Sequence, residues 1–142
     1  MNYKIIIKLL FFPFLVYMFN SAIQSLALSF YYIYSIDTLS HFLGGMAIAF
    51  SANYALTLIE KKNWITIKKP VLRAIILVGA VMTFAVLWEF YEFTYDLLMW
   101  GDVMQPSVAD TIKDLDMGMI GAIVFCVGLL YKKRTSYSGG RR

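Results

Sequence analysis

Four apolar runs, at about residues 5–28, 38–59, 71–93 and 110–131, divide the chain. Each is close to the roughly 20 residues that carry a helix across a hydrocarbon core. Between them lie short polar segments too small to form a layer of their own. The pattern predicts an all-α fold, an integral membrane bundle of four transmembrane helices in one domain, residues 1–131, followed by a basic tail, 132–142. Pro13 falls inside the first run, where neighbouring helices in a membrane can satisfy the carbonyl that a proline frees. Pro70 suits the first turn of the third helix, where a missing N–H costs nothing, and Pro106 belongs to the loop before the fourth.

Composition agrees with a membrane class. Of 142 residues, 60% are hydrophobic and only 15% charged, which does not describe a soluble globule. The net charge of +4 is not a nucleic-acid signal, because its basic residues are segregated. Lys4 and Lys8 lie at the amino end, Lys61, Lys62, Lys68, Lys69 and Arg73 around the second loop, and Lys132, Lys133, Arg134, Arg141 and Arg142 in the tail. Excess Lys and Arg mark the cytoplasmic side, and an even number of spans places both termini there, in the cytoplasmic (inner) membrane of the cell. Tyr31, Tyr32, Tyr34 and Trp100 fall where an outer interface belt belongs, Trp64 and Tyr131 where an inner one does. The tail is short, polar and expected to be disordered. The first run begins like a secretory signal but is long for one, with poor cleavage chemistry around Ala22–Ala27, so retention as a membrane helix is expected. Cys126, the single cysteine, excludes an intrachain disulfide or a thiolate metal cluster.

The acids run opposite to the bases. Only Glu60 lies with the lysines, whereas Asp37, Glu89, Glu92, Asp96, Asp102, Asp110, Asp114 and Asp116 map to the other end of the bundle, accompanied by His41 and Lys113. At 100° per residue, Glu89, Glu92 and Asp96 fall within about a 60° arc and form one ridge. Asp37 and His41 are four residues apart on the second helix, as are Asp110 and Asp114 on the fourth, while Asp116 points elsewhere. Gly44, Gly45 and Ala49 continue one stripe, and Gly118, Gly121 and Ala122 the other. Small residues at such spacings let membrane helices approach closely, so helices two and four are expected to cross there and bring His41 and Asp114 towards the ridge.

Each acid has a plain structural explanation to set beside a functional one. Asp37 and Asp110 begin helices, where Asp is a favoured N-cap and the dipole welcomes negative charge. Glu89, Glu92 and Asp96 end a helix, where the dipole disfavours anions, and they crowd one face. Carboxylates at that depth need a partner, a proton or a cation. His41, beside Asp37 and facing further carboxylates, fits a metal ligand, a proton relay, a general base or simply a satisfied hydrogen-bonding group.

Taken together, "DTLSHFLGG", "WEFYEFTYD", "MQPSVADTIKDL" and "GMIGA" resemble the YjdF-like inner-membrane proteins and, more distantly, the VanZ-like family named for a teicoplanin-resistance protein. The resemblance covers roughly residues 37–122. It implies that Asp37, His41, Glu89, Glu92, Asp96, Gln105, Asp110 and Asp114 occupy the family's polar positions, with Gly121 and Ala122 as the small residues beside them. The chain departs at Gly118, where relatives often carry a further Asp or Asn.

Two functions compete. One is a metal-dependent membrane enzyme acting on an outer-leaflet lipid or envelope precursor. In it Mg²⁺, Mn²⁺ or Zn²⁺ is held by His41, Glu89, Glu92, Asp96, Asp110 and Asp114, with Asp37 orienting His41, and with His41, Asp37, Glu89 and Glu92 as the catalytic set. The other is a cation- or proton-binding or transport module, for which four helices offer little room unless the chain forms a homo-oligomer. A non-catalytic accessory role in envelope stress or antibiotic resistance leaves the ridge unexplained. No G-x-S-x-G, phosphate-binding glycine loop or H-E-x-x-H is present. Membrane lipid is the expected partner, and Asp102 and Asp116 are expected to matter little.

Overall fold

The computed structural model describes residues 3–27, 30, 35–98 and 105–139, with side chains described as far as residue 132. It contains four long helices: α1 (Tyr3–Leu26), α2 (Ile36–Lys61), α3 (Pro70–Leu98) and α4 (Val108–Gly139). All four are long and apolar enough to cross a membrane. The aromatic residues Tyr31, Tyr32, Tyr34 and Trp100, and also Asp102, Arg141 and Arg142, lie outside the described residues. Helix α4 continues to Gly139, through positions where a disordered tail is expected. Extending a helix that is already nucleated costs far less than starting one.

The bundle is built inside out relative to a soluble protein. Its buried core is small and consists largely of alanines with Leu77 and Val81, while Leu15, Leu87, Phe90 and Phe93 are exposed. Ala49, Val81 and Ala122 meet at the centre, with Ile48, Val78 and Phe125 packed against them. With lipid outside, apolar side chains gain nothing by hiding, so small residues that let backbones approach take the inside positions.

Helix α2 is the hub: it packs against α1, α3 and α4, and α4 also packs on α3. The α2–α4 crossing depends on two glycines. A Cβ on Gly45 would land on the backbone carbonyl of Gly118, and a Cβ on Gly121 on that of Phe42. Gly44 does not share this role, because a Cβ there meets nothing within 4 Å. Among the described residues, α1 makes no close backbone approach to α3 or α4.

Two polar features hold the helices together away from the acidic end. Pro13 lies within α1 and cannot donate to the carbonyl four residues before it, that of Leu9. Ser51 Oγ of α2 donates to that same carbonyl at 2.6 Å, so the neighbouring helix closes the gap the proline leaves. At the basic end Arg73 lies in the first turn of α3 rather than in the loop. Its guanidinium donates to Asn53 Oδ1 (2.7 Å), Thr57 Oγ1 (2.8 Å) and Glu60 Oε2 (2.6 Å) of α2. Glu60 also accepts the Ile67 N–H at 3.2 Å, which fastens the connecting loop. Trp64 is exposed there, with Lys62 Nζ 5.0 Å above its ring.

Candidate metal centre

The polar end of the bundle is assembled from three helices and the start of the fourth helix's approach loop. On α2, Asp37 and His41 are one turn apart, and His41 Nε2 lies 3.6 Å from Asp37 Oδ1. Asp37 is not the N-cap: that position is Ser35, in the left-handed region with φ 48° and making no side-chain cap hydrogen bond. Asp37 sits in the first turn instead, where the dipole still favours it. Similarly, Ser107 Oγ rather than Asp110 caps α4, accepting the Asp110 N–H at 3.1 Å. Asp110 pairs with Lys113 on the half-exposed rim.

The ridge on α3 turns inward, as its spacing predicts. Glu89 and Glu92 are each only 4% exposed, while Asp96 is half-buried further out. Asp114 of α4 is 1% exposed, and Asp116 faces outward. Ligand atoms of His41, Glu89 and Glu92 lie within 4.8 Å of one another, and so do those of Asp37, His41 and Asp114. His41 therefore belongs to both groups and joins helices α2, α3 and α4. Asp96 and Asp110 belong to neither.

The remaining hydrogen bonds position this cluster. Trp88 Nε1 donates to Glu92 Oε1 at 2.7 Å, one helical turn along α3. Gln105 is the keystone of the approach loop. Its Nε2 donates to Glu89 Oε2 (3.1 Å) and to Thr111 Oγ1 (2.6 Å), and its backbone N–H donates to Asp96 Oδ2 (2.8 Å). Asp96 thus anchors the loop that brings Gln105 to Glu89. It acts as a positioning residue here, not as a member of the ligand cluster.

Two oxygens are left over. Glu89 Oε1 and Asp114 Oδ1 are buried and receive no hydrogen bond among the described residues. Lys113 Nζ approaches Asp114 Oδ1 only to 3.8 Å and is 45% exposed, engaged mainly by Asp110. Buried carboxylate oxygens are normally satisfied, and leaving one without a donor costs about 1–3 kcal/mol or more. One imidazole nitrogen with carboxylate oxygens is a donor set suited to Mn²⁺, Zn²⁺ or Mg²⁺. The residues present therefore fit a small divalent cation.

Residues 4–134 match a family described as "Predicted membrane protein (DUF2238)". The chain belongs to that family. It is the YjdF-like family that the Asp-His, acidic-helix and Met-Gln motifs indicate. Neither the curated proteins nor the solved structures contain a match. Membership thus establishes a membrane protein and leaves the chemistry to be argued from the site itself.

Several contributors were not apparent as site residues in the sequence. Trp88 lies four residues before Glu92, and that spacing is the signal for the hydrogen bond it makes. Thr111 gave no signal beyond lying near Asp110. Asn20 is a buried polar residue in a largely apolar stretch, which is itself the cue, and Ser40 is buried directly before His41.

Proposed function

We propose that this family member holds a divalent cation between α2, α3 and α4 and uses it for chemistry on a membrane lipid or envelope precursor. His41, Glu89 and Glu92 would be the principal ligands, with Asp114 within reach and Asp37 orienting the imidazole. The observation that carries the reading is the pair of buried oxygens, Glu89 Oε1 and Asp114 Oδ1, beside His41, which accept no hydrogen bond among the described residues. Such an ion supplies Lewis-acid polarisation and a nucleophile at neutral pH. Gln105 and Trp88 hold the two glutamates by one oxygen each, leaving the other oxygen of each for the ion. We place this end of the bundle on the extracytoplasmic side, because Lys62, Lys68 and Lys69 occupy the opposite loop.

The test is metal analysis of the full chain purified in mild detergent without chelator. Stoichiometric Mn, Zn or Mg is expected in the wild type and is expected to be lost in both His41→Ala and Glu92→Gln while the protein stays inserted and monodisperse. Metal-free wild-type protein that fails to take up any of the three on titration would overturn the reading. It would leave the proton-linked alternative.

A further inference from the structure

Beside the cation cluster lies a separate cavity of about 410 Å³ between α1, α2 and α3. Its walls are apolar, formed by Leu10, Phe14, Tyr17, Ile48, Phe84 and Trp88, and its polar end is formed by Asn20, Asp37, Ser40 and His41. The two halves differ sharply. Asn20 Oδ1 and Ser40 Oγ, on residues 8% and 7% exposed, have no hydrogen-bond partner among the described residues. No Lys or Arg lines the cavity among the described residues.

Its dimensions are those of one hydrocarbon chain. From Leu10 to Asn20 the α1 wall runs about 15 Å at 1.5 Å per residue, which is the depth of one leaflet of a roughly 30 Å core. Dividing 410 Å³ by that length leaves a cross-section of about 27 Å², roughly 6 Å wide. Carbon atoms pack at about 3.5–4.0 Å, so a hydrocarbon chain fits along it. Entry is from the side. Helices α1 and α3 do not approach each other by backbone, and the gap is bridged by Tyr17 edge-on to Trp88, ring centroids 6.0 Å apart. Gly44 opens on the cavity, and a Cβ there would meet nothing within 4 Å.

We propose that this cavity takes a single-chain amphiphile with an ammonium head group, admitted from the bilayer between α1 and α3. Its chain lies along Leu10–Tyr17 and Phe84–Trp88, and its head donates hydrogen bonds to Asn20, Ser40 and Asp37. Charge complementarity selects the ammonium. Asp37 lines the polar end, the carboxylates of Glu89, Glu92 and Asp114 stand behind His41, and an anionic head would meet no cationic side chain there. Trp88 connects the two sites, with its ring in the cavity wall and its N–H on Glu92. The inference draws on the four carboxylates, which carry more charge than one divalent ion neutralises, and does not require the cation, so the experiment separates the two readings.

The probe is a long-chain alkylamine carrying a mid-chain diazirine, photolysed with the full chain in phosphatidylcholine nanodiscs, with labelled peptides mapped by mass spectrometry. Labelling is expected on the peptides holding Phe14–Tyr17 and Phe84–Trp88. Unlabelled alkylamine is expected to compete roughly ten-fold better than the alkyl sulfate of equal length. Gly44→Leu, whose Cβ has open space on the cavity side, is expected to abolish this labelling, and Gly79→Leu, on an exposed face where a Cβ has equal room, to leave it intact. Asp37→Asn is expected to weaken amine capture roughly ten-fold. Label spread evenly over the outward faces, equal competition by the sulfate, or full labelling of Gly44→Leu would overturn the proposal. Bound metal is expected to be unchanged in Gly44→Leu. Metal-free wild-type protein with this labelling pattern would overturn only the cation reading.

Discussion

The adjacent glycines Gly44 and Gly45 make the sharpest test of how this bundle is held together. Both lie on α2, and both read as packing glycines in the sequence, yet their surroundings are opposite. A methyl group on Gly45 would be driven into the carbonyl of Gly118, and the obstacle is backbone that cannot rotate aside. Overpacking of this kind costs about 1–3 kcal/mol even where side chains can yield, so Gly45→Ala belongs at the upper end. Gly44→Ala meets nothing within 4 Å and removes a mid-helix glycine, a change that favours the helix by about 0.5–1 kcal/mol. Both substitutions gain that helix term, so they are expected to differ by the overpacking cost alone, about 2–3 kcal/mol. Gly121→Ala, whose Cβ would meet Phe42 and come within 3.1 Å of the Met46 amide, is expected to resemble Gly45→Ala. The double variant should fall short of additivity, since helices already forced apart have room for a second methyl. The assay is equilibrium unfolding of the purified protein in mixed detergent and denaturing micelles, followed by circular dichroism. Bound metal is expected to fall with Gly45→Ala, because separating α2 from α4 moves His41 from Asp114. Equal stability of the Gly44 and Gly45 variants would refute the crossing geometry.

Further expectations concern the other polar links. Ser51→Ala should destabilise the wild type but scarcely affect a Pro13→Ala background, where residue 13 regains an N–H for Leu9. The cycle should show coupling of about 0.6–1.7 kcal/mol in the same unfolding assay. Arg73→Ala should cost about 2–3 kcal/mol by stranding Glu60, Asn53 and Thr57, with Arg73→Lys recovering only part because one ammonium does not reproduce the guanidinium fork. Gln105→Ala removes the donor from Glu89 and should lower metal affinity roughly ten-fold or more by isothermal titration. Asp114→Asn should reduce bound metal whereas Asp116→Asn should not; equal effects would sever the link between burial and ligation.

Much of this architecture was determined by the sequence alone, for reasons that act locally. Four apolar runs of spanning length have one low-energy state in a bilayer, because every backbone polar group must be satisfied within its own helix. The ridge of Glu89 and Glu92, and the pairing of Asp37 with His41, follow from helical periodicity, which needs no knowledge of neighbours. Even the repair of Pro13 was foreseeable in kind, though not that Ser51 performs it.

What only the tertiary structure decided depends on how helices rotate and cross. Periodicity put Gly44 and Gly45 on one stripe, but the crossing point sends one against Gly118 and the other into a cavity. The same holds for the acids. Asp96 and Asp110 carry the same charge as Glu89 and Asp114, yet a loop amide from Gln105 claims one and Lys113 the other. Whether a carboxylate becomes a ligand or a strut is set by which donors reach it in three dimensions. The cavity beside His41 is likewise a property of separations between helices, in particular of α1 standing off α3, and no run of residues encodes an empty space by itself.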